Sequence, residues 1–252
     1  MAHRPPLSRP GSPLRTAVAL ARTPDGKASV ATLWTWHNLA KDARMLVLVD
    51  VSGSMSDQMD PNRPGTSRID VLRGLELGAL STMPRSTEIG AWAFSTNLRG
   101  PGKDWKPLSK GIHPVGPPGR SNTFRQALVG AVGEMPKLVA RNGDTALYDS
   151  VWAAYAEVSR TYDPAFVDSV VVLTDGKNED PNGGLDLSQL LTRLKTAYNP
   201  QKPVKIVTIS IGDGTDPAAL QQIATTTNGL SYRPRSADQI TSVFIDAFLH
   251  RN

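Results

Sequence analysis

No cysteine occurs among the 252 residues, which excludes disulfides, thiolate metal sites and cysteine nucleophiles. Histidine is scarce. The four present, His3, His37, His113 and His250, stand far from one another and beside none of the polar loops that matter below. No apolar run approaches the ~18 residues of a membrane-spanning helix. The stretch from Met1 to Pro13 carries Arg and Pro but no apolar h-region of a signal peptide. Also missing are a phosphate-cradling G-x-x-x-x-G-K-[ST] loop, a G-x-S-x-G elbow and an H-E-x-x-H helix. Positive charge is in excess by five, yet it is unevenly spread. Residues 1–27 hold Arg4, Arg9, Arg15, Arg22 and Lys27 against Asp25, leaving only +1 for the rest. A nucleic-acid binder concentrates its charge on a folded surface, so nucleic acid is not expected as a partner.

What is present describes a globular protein: 39% apolar and 20% charged residues, with length enough for one large domain or two small ones. The run Met45-Leu46-Val47-Leu48-Val49 stops at Asp50-Val51-Ser52-Gly53-Ser54. Such a run suits a strand buried on both faces of a parallel sheet, and ligands of open α/β sheets bind beyond the carboxyl ends of those strands. One carboxylate and two hydroxyls at i, i+2 and i+4 of a tight loop are hard oxygen donors, suited to Mg2+, Ca2+ or Mn2+. Alone, the pentapeptide also fits a Ser/Gly turn with Asp50 as a helix cap. Two later segments alter the balance. Gly143-Asp144-Thr145 offers another hydroxyl before a helical segment, and Val170-Val171-Val172-Leu173-Thr174-Asp175-Gly176 repeats the buried strand that ends in a carboxylate.

Asp-x-Ser-x-Ser, a distant Thr and strand-Thr-Asp-Gly together resemble the von Willebrand factor A domain family and its metal-ion-dependent adhesion site, from about residue 44 to the C-terminus. The resemblance implies five metal ligands: Asp50, Ser52, Ser54, Thr145 and Asp175. It implies an α/β, doubly wound, mostly parallel six-stranded sheet with helices on both faces, in the order 3-2-1-4-5-6, the third strand antiparallel at an edge. Residues 44–252 would then be the domain, and residues 1–43 a linker or the remnant of an upstream domain. The segments 43–50, 143–149 and 173–180 look like the bacterial subgroup carried behind a solute-binding-type domain. Its full-length members are often exported and lipid-anchored, whereas this chain shows no signal sequence; the two indications leave the location open.

The remaining segments alternate in the way a doubly wound sheet requires. Val30, Leu33, Trp34 and His37 suit a short helix. Ser67 is placed to cap a helix from about Arg68 to Leu80. Residues 88–95 read as the second strand and 105–108 as an edge strand. A helix near 123–139 should break or kink at Pro136, and Asp144-Thr145 should open the next. Residues 187–198 read as helix, 204–211 as strand, and Asp216-Pro217 as a helix start. Residues 230–233 form a short last strand, and Ser236-x-x-Gln239 is a capping box for a terminal helix. Counted from Asp50, the loop that leads into Asp57 and Asp60 is not an EF-hand, because its sixth and twelfth positions are Met55 rather than Gly and Pro61 rather than Glu. It reads as a rim loop.

Two carboxylates balance a divalent ion, and neutral hydroxyl ligands leave it electrophilic. By resemblance, the ion accepts an exposed Asp or Glu of a partner protein. The alternatives are a subunit that positions a client for an ATPase or chelatase-type complex, which would use the same site, and a metal-dependent hydrolase. The hydrolase would need a general base, for which Asp144 is the best-placed candidate. An acid beside a cap position serves a helix N-terminus equally well.

Overall fold

The structure, a computed structural model, describes residues 41–59, 65–116 and 123–234, with Gln239 and Val243. The expected linker and helix before residue 41, and most of the loop after Asp57, lie outside the described residues. So does the terminal helix, save Gln239 and Val243, which are both helical.

Among the described residues seven strands form one sheet: β1 (Asp42–Asp50), β2 (Glu88–Phe94), β3 (Trp105–Pro107), β4 (His113–Pro114), β5 (Phe166–Thr174), β6 (Val204–Ser210) and β7 (Ser231–Tyr232). Five α-helices among the described residues connect them: α1 (Arg68–Thr82), α2 (Thr123–Glu134), α3 (Leu147–Arg160), α4 (Leu187–Ala197) and α5 (Pro217–Thr226). The spatial order is β3-β2-β1-β5-β6-β7, with β4 also on β2. All neighbours are parallel except β3 and β4, which run antiparallel to β2. The class is the one expected, but the six-strand count needs correction. The antiparallel edge is two short pieces, because the chain between them turns through residues 108–112 and Gly111 at φ 90°.

Strands with no polar face need cover on both sides. Alternate residues of β1 serve the two sides: Met45, Val47 and Val49 pack with Ile69, Leu72 and Leu80 of α1 and Leu128 and Val132 of α2. Leu46 and Leu48 pack with Val151, Tyr155 and Val158 of α3, Leu190 and Leu194 of α4, and Leu220 and Ile223 of α5. The expected break at Pro136 appears as a change from α2 to a 3-10 turn over Met135–Leu138. There the pyrrolidine ring cannot continue an α-helix.

Arg44 is buried within β1 although it is charged. Its Nη1 donates to Asp168 Oδ1 at 2.6 Å, its Nε to Glu88 Oε2 at 3.1 Å and its Nη2 to Thr161 Oγ1 at 3.0 Å. This network ties the amino ends of β1, β2 and β5 together. The opposite, carboxyl ends of β1 and β5 are where the chain reverses its direction of winding, with Val49 beside Leu173. Asp50 and Asp175 are therefore delivered to one point by adjacent strands.

Candidate metal-ion site

Four segments meet at that point. Asp50 closes β1; Ser52 and Ser54 lie on the following turn; Thr145 precedes α3; Asp175 follows β5. Asp50, Ser52, Thr145 and Asp175 are all buried. Ser54 Oγ donates to Asp175 Oδ1 at 2.8 Å and stands 3.2 Å from Ser52 Oγ. Asp50 Oδ1 accepts the Ser52 backbone N–H at 2.8 Å, and its Oδ2 accepts Thr174 Oγ1 at 2.6 Å. Asp50, Ser52, Ser54 and Asp175 thus share one small volume, and Thr145 comes up to it beside Gly176.

Glycines allow the approach. A Cβ on Gly53 would stand 2.7 Å from the Arg141 carbonyl oxygen, and one on Gly176 2.7 Å from Thr145 Oγ1. The bare backbone at 176 leaves room for the Thr145 hydroxyl next to Asp175. The loops also bind one another: Gly53 N–H donates to Gly143 O, and Glu179 N–H to Thr145 O, each at 2.9 Å.

The electrostatics describe a cradle short of positive charge. Burial, and secondarily the Asp175 carboxylate, push the Asp50 carboxyl up to about 7, despite the hydrogen bonds from Thr174 and Ser52. Burial also raises Asp175, with Arg68 and Ser54 acting in the other direction. Two carboxylates both raised by burial, one of them also by the other, are relieved by a cation. The donors, two carboxylates and three hydroxyls, fit a hard divalent ion. Among the described residues no three His, Cys, Asp or Glu converge, which sets this cradle apart from nitrogen- or carboxylate-rich metal centres.

Three contributors went unseen in the sequence. Thr174, inside the Thr-Asp-Gly motif, orients Asp50. Asn178 Oδ1 accepts Tyr148 N–H at 3.0 Å and so closes the start of α3 from another loop. Asp144-Thr145 was expected to open that helix. Instead it starts at Leu147 after Ala146, which offers no side-chain cap. Asp144 is engaged through its backbone, accepting from Thr96 N–H and Ser95 Oγ. Arg68, the first residue of α1, places Nη1 2.7 Å from Asp175 Oδ2. No local pattern singles it out.

A family model, the von Willebrand factor type A domain, matches residues 118–245. The chain belongs to this family. The match covers Thr145 and Asp175, whereas Asp50, Ser52 and Ser54 precede it. Solved structures of this vWA chain's fold include a von Willebrand factor type A protein from Catenulispora acidiphila, 18% identical, covering 84% of this chain and 43% of that one, with TM-score 0.61. BatB from Bacteroides thetaiotaomicron is 14% identical over 82% of this chain and 97% of its own, with TM-score 0.57. Proximal thread matrix protein 1 of the mussel byssus, with a zinc-occupied MIDAS motif, is 18% identical over 84% and 46%, with TM-score 0.52. The vWA chain spans less than half the length of the first and third of these. At such identities the likeness is one of fold. No curated protein matches the sequence.

Proposed function

We propose that this vWA chain is a metal-ion-dependent protein-binding module rather than an enzyme. Asp50, Ser52, Ser54, Thr145 and Asp175 would hold a divalent cation, Mg2+ or else Mn2+ or Ca2+, facing an exposed Asp or Glu of a partner protein. The observation that carries the reading is the meeting of two buried carboxylates with the Ser52 and Ser54 hydroxyls at the carboxyl ends of β1 and β5, with Thr145 beside Gly176. A bound ion would supply an electrophilic position for the partner's carboxylate oxygen. The chain's own part is to prearrange the donors. Ser52 N–H and Thr174 Oγ1 fix the Asp50 carboxylate, Ser54 Oγ fixes one oxygen of Asp175, and Gly176 keeps Thr145 clear.

The described histidine supports binding over hydrolysis. His113 pairs with Ile89, whereas Asp50 pairs with Phe94 farther along β2. Five residues of strand, about 16 Å, separate the imidazole's position from the cradle. The mussel protein's site carries zinc; the all-oxygen donors here favour a harder ion. The assignment to the bacterial subgroup found behind a solute-binding-type domain, with 44–252 as the vWA unit, is part of the same proposal. It rests on segments 43–50, 143–149 and 173–180.

The test is calorimetric titration of Mg2+ and Mn2+ into metal-free protein, beside Asp50→Ala and Ser54→Ala. Saturable binding that both variants lose is the expected result. Protein partners captured with the ion and released by chelator would then be searched for surface carboxylates. A wild type that binds neither ion, with or without acetate as a surrogate ligand, would sink the reading.

A further inference from the structure

Arg68 brings a third charge to the two carboxylates. Its Nη1 lies 2.7 Å from Asp175 Oδ2, 3.3 Å from Ser54 O and 3.6 Å from Asp57 Oδ2. Asp175's side chain is fully buried, whereas Arg68 is 17% exposed and Asp57 is 64% exposed. The guanidinium therefore bridges the interior of the cradle and its rim. Its placement is built into the backbone. Arg68 N–H donates to Asp57 O at 2.9 Å, and Ser67 caps the helix that Arg68 begins by accepting Asp70 N–H. The side chain lies on Gly212, whose φ of 72° and missing Cβ leave it space; a Cβ there would stand 3.2 Å from Nε. Nε is buried with no hydrogen-bond partner among the described residues. Asp175 and close packing hold the head group in a position that leaves one of its own donors unmet.

The geometry points to Arg68 as an internal counter-ion of the site: it shares Asp175 with the divalent cation, lowers the affinity for that cation, and leaves the loaded site with surplus positive charge that selects a carboxylate-bearing ligand. This rests on the metal-binding reading above. Asp50 and Asp175 alone would neutralise a divalent ion, so the loaded cradle could still coordinate a carboxylate but would carry no net charge to draw one in. With Arg68 the buried part of the cradle sums to one positive charge, which an incoming Asp or Glu cancels; the Asp57 carboxylate, 64% exposed, is screened by water and offsets little of it. A unit charge roughly 6 Å from a divalent ion weakens its binding by about tenfold even with water-like screening, and by more where water is excluded. The same arginine relieves Asp175 before any ion arrives, so the cradle need not collapse without one.

The experiment is titration of Mn2+ into metal-free wild type, Arg68→Gln, Arg68→Met and Ser54→Ala, followed by acetate into the Mn2+-saturated proteins. Arg68→Gln is expected to bind Mn2+ about tenfold tighter or more and to hold acetate more weakly than wild type. Affinity for Mn2+ that is unchanged or weaker in Arg68→Gln, while Ser54→Ala abolishes binding, overturns the counter-ion role and leaves the metal site standing. Absence of binding in both wild type and Arg68→Gln removes the site, and this role with it. Should Arg68→Gln fail to fold, Arg68→Met, which keeps an apolar stem and likewise removes the charge, is read by the same criterion. Tighter Mn2+ binding than wild type supports the role, and equal binding overturns it.

Discussion

Replacing Glu76 with glutamine should make this protein more stable, and by an amount that depends on pH. Glu76 lies on the face of α1 turned to the sheet, 6% exposed, in a small cavity lined by Val47, Ala79, Leu80, Met83, Ile89, Ala91, Leu128 and Val132. Its Oε1 has no hydrogen-bond partner among the described residues. Burial alone pushes the carboxyl up from 4.5 to about 8. The unfolded chain thus releases its proton near the lower value, while the folded chain keeps it until the higher one. Below the lower value both states hold the proton and Glu76 has no pH-dependent effect. Above it, stability falls by about 1.4 kcal/mol per pH unit, until the folded carboxyl also ionises. The accumulated loss is about 3 kcal/mol at neutral pH and about 5 kcal/mol above the upper value, an upper bound because solvent can reach a strained carboxylate. Urea unfolding of wild type and Glu76→Gln at about pH 5 and about pH 8.5 isolates this group, since every other titration is common to both proteins. The gap between the two stabilities should widen by several kcal/mol towards the alkaline side. A constant gap would refute the reasoning, because it would mean that the carboxyl titrates as it does in water.

Two substitutions probe how the cradle is held. Gly176→Ala would put a methyl 2.7 Å from Thr145 Oγ1, so the hydroxyl must turn away; calorimetry should show Mn2+ affinity down by about tenfold or more, the equivalent of one lost ligand at 1.4 kcal/mol. Asn178→Ala removes the acceptor for Tyr148 N–H and should cost about 1 kcal/mol, as other helix-start acceptors do, measured by thermal unfolding in chelator. An unchanged melting curve would show that the helix start is satisfied by other means.

Much of the fold was legible because its central strands are apolar on both faces. Residues 45–49 and 170–173 admit little but a parallel sheet covered on two sides, and each ends in the carboxylate that matters. Caps were equally readable: Ser67 and Asp216 stand where their helices begin. Other features depend on partners distant in sequence. Arg44 extends β1 back to Asp42 because Asp168 and Glu88, far along the chain, neutralise it. Asn178 serves a helix thirty residues earlier. Strand β4 is a His-Pro pair, too short to carry any periodicity. Arg68 looks like an ordinary helix-start residue until Asp175 is brought beside it. Periodicity reports burial along one segment, whereas charge pairing is a property of two, and the cradle is assembled mostly from the second kind of information.

The broken outer edge of the sheet has a consequence for life in a crowd. β3 spans three residues and β4 two, and each contains a proline, Pro107 opposite Trp92 and Pro114 opposite Glu88. Proline has no N–H to offer a further strand, and short, interrupted borders make poor templates for another chain. At the other margin β7 is only two residues long. Neither described border invites lateral stacking, so copies brought close together are poorly placed to zip into one another.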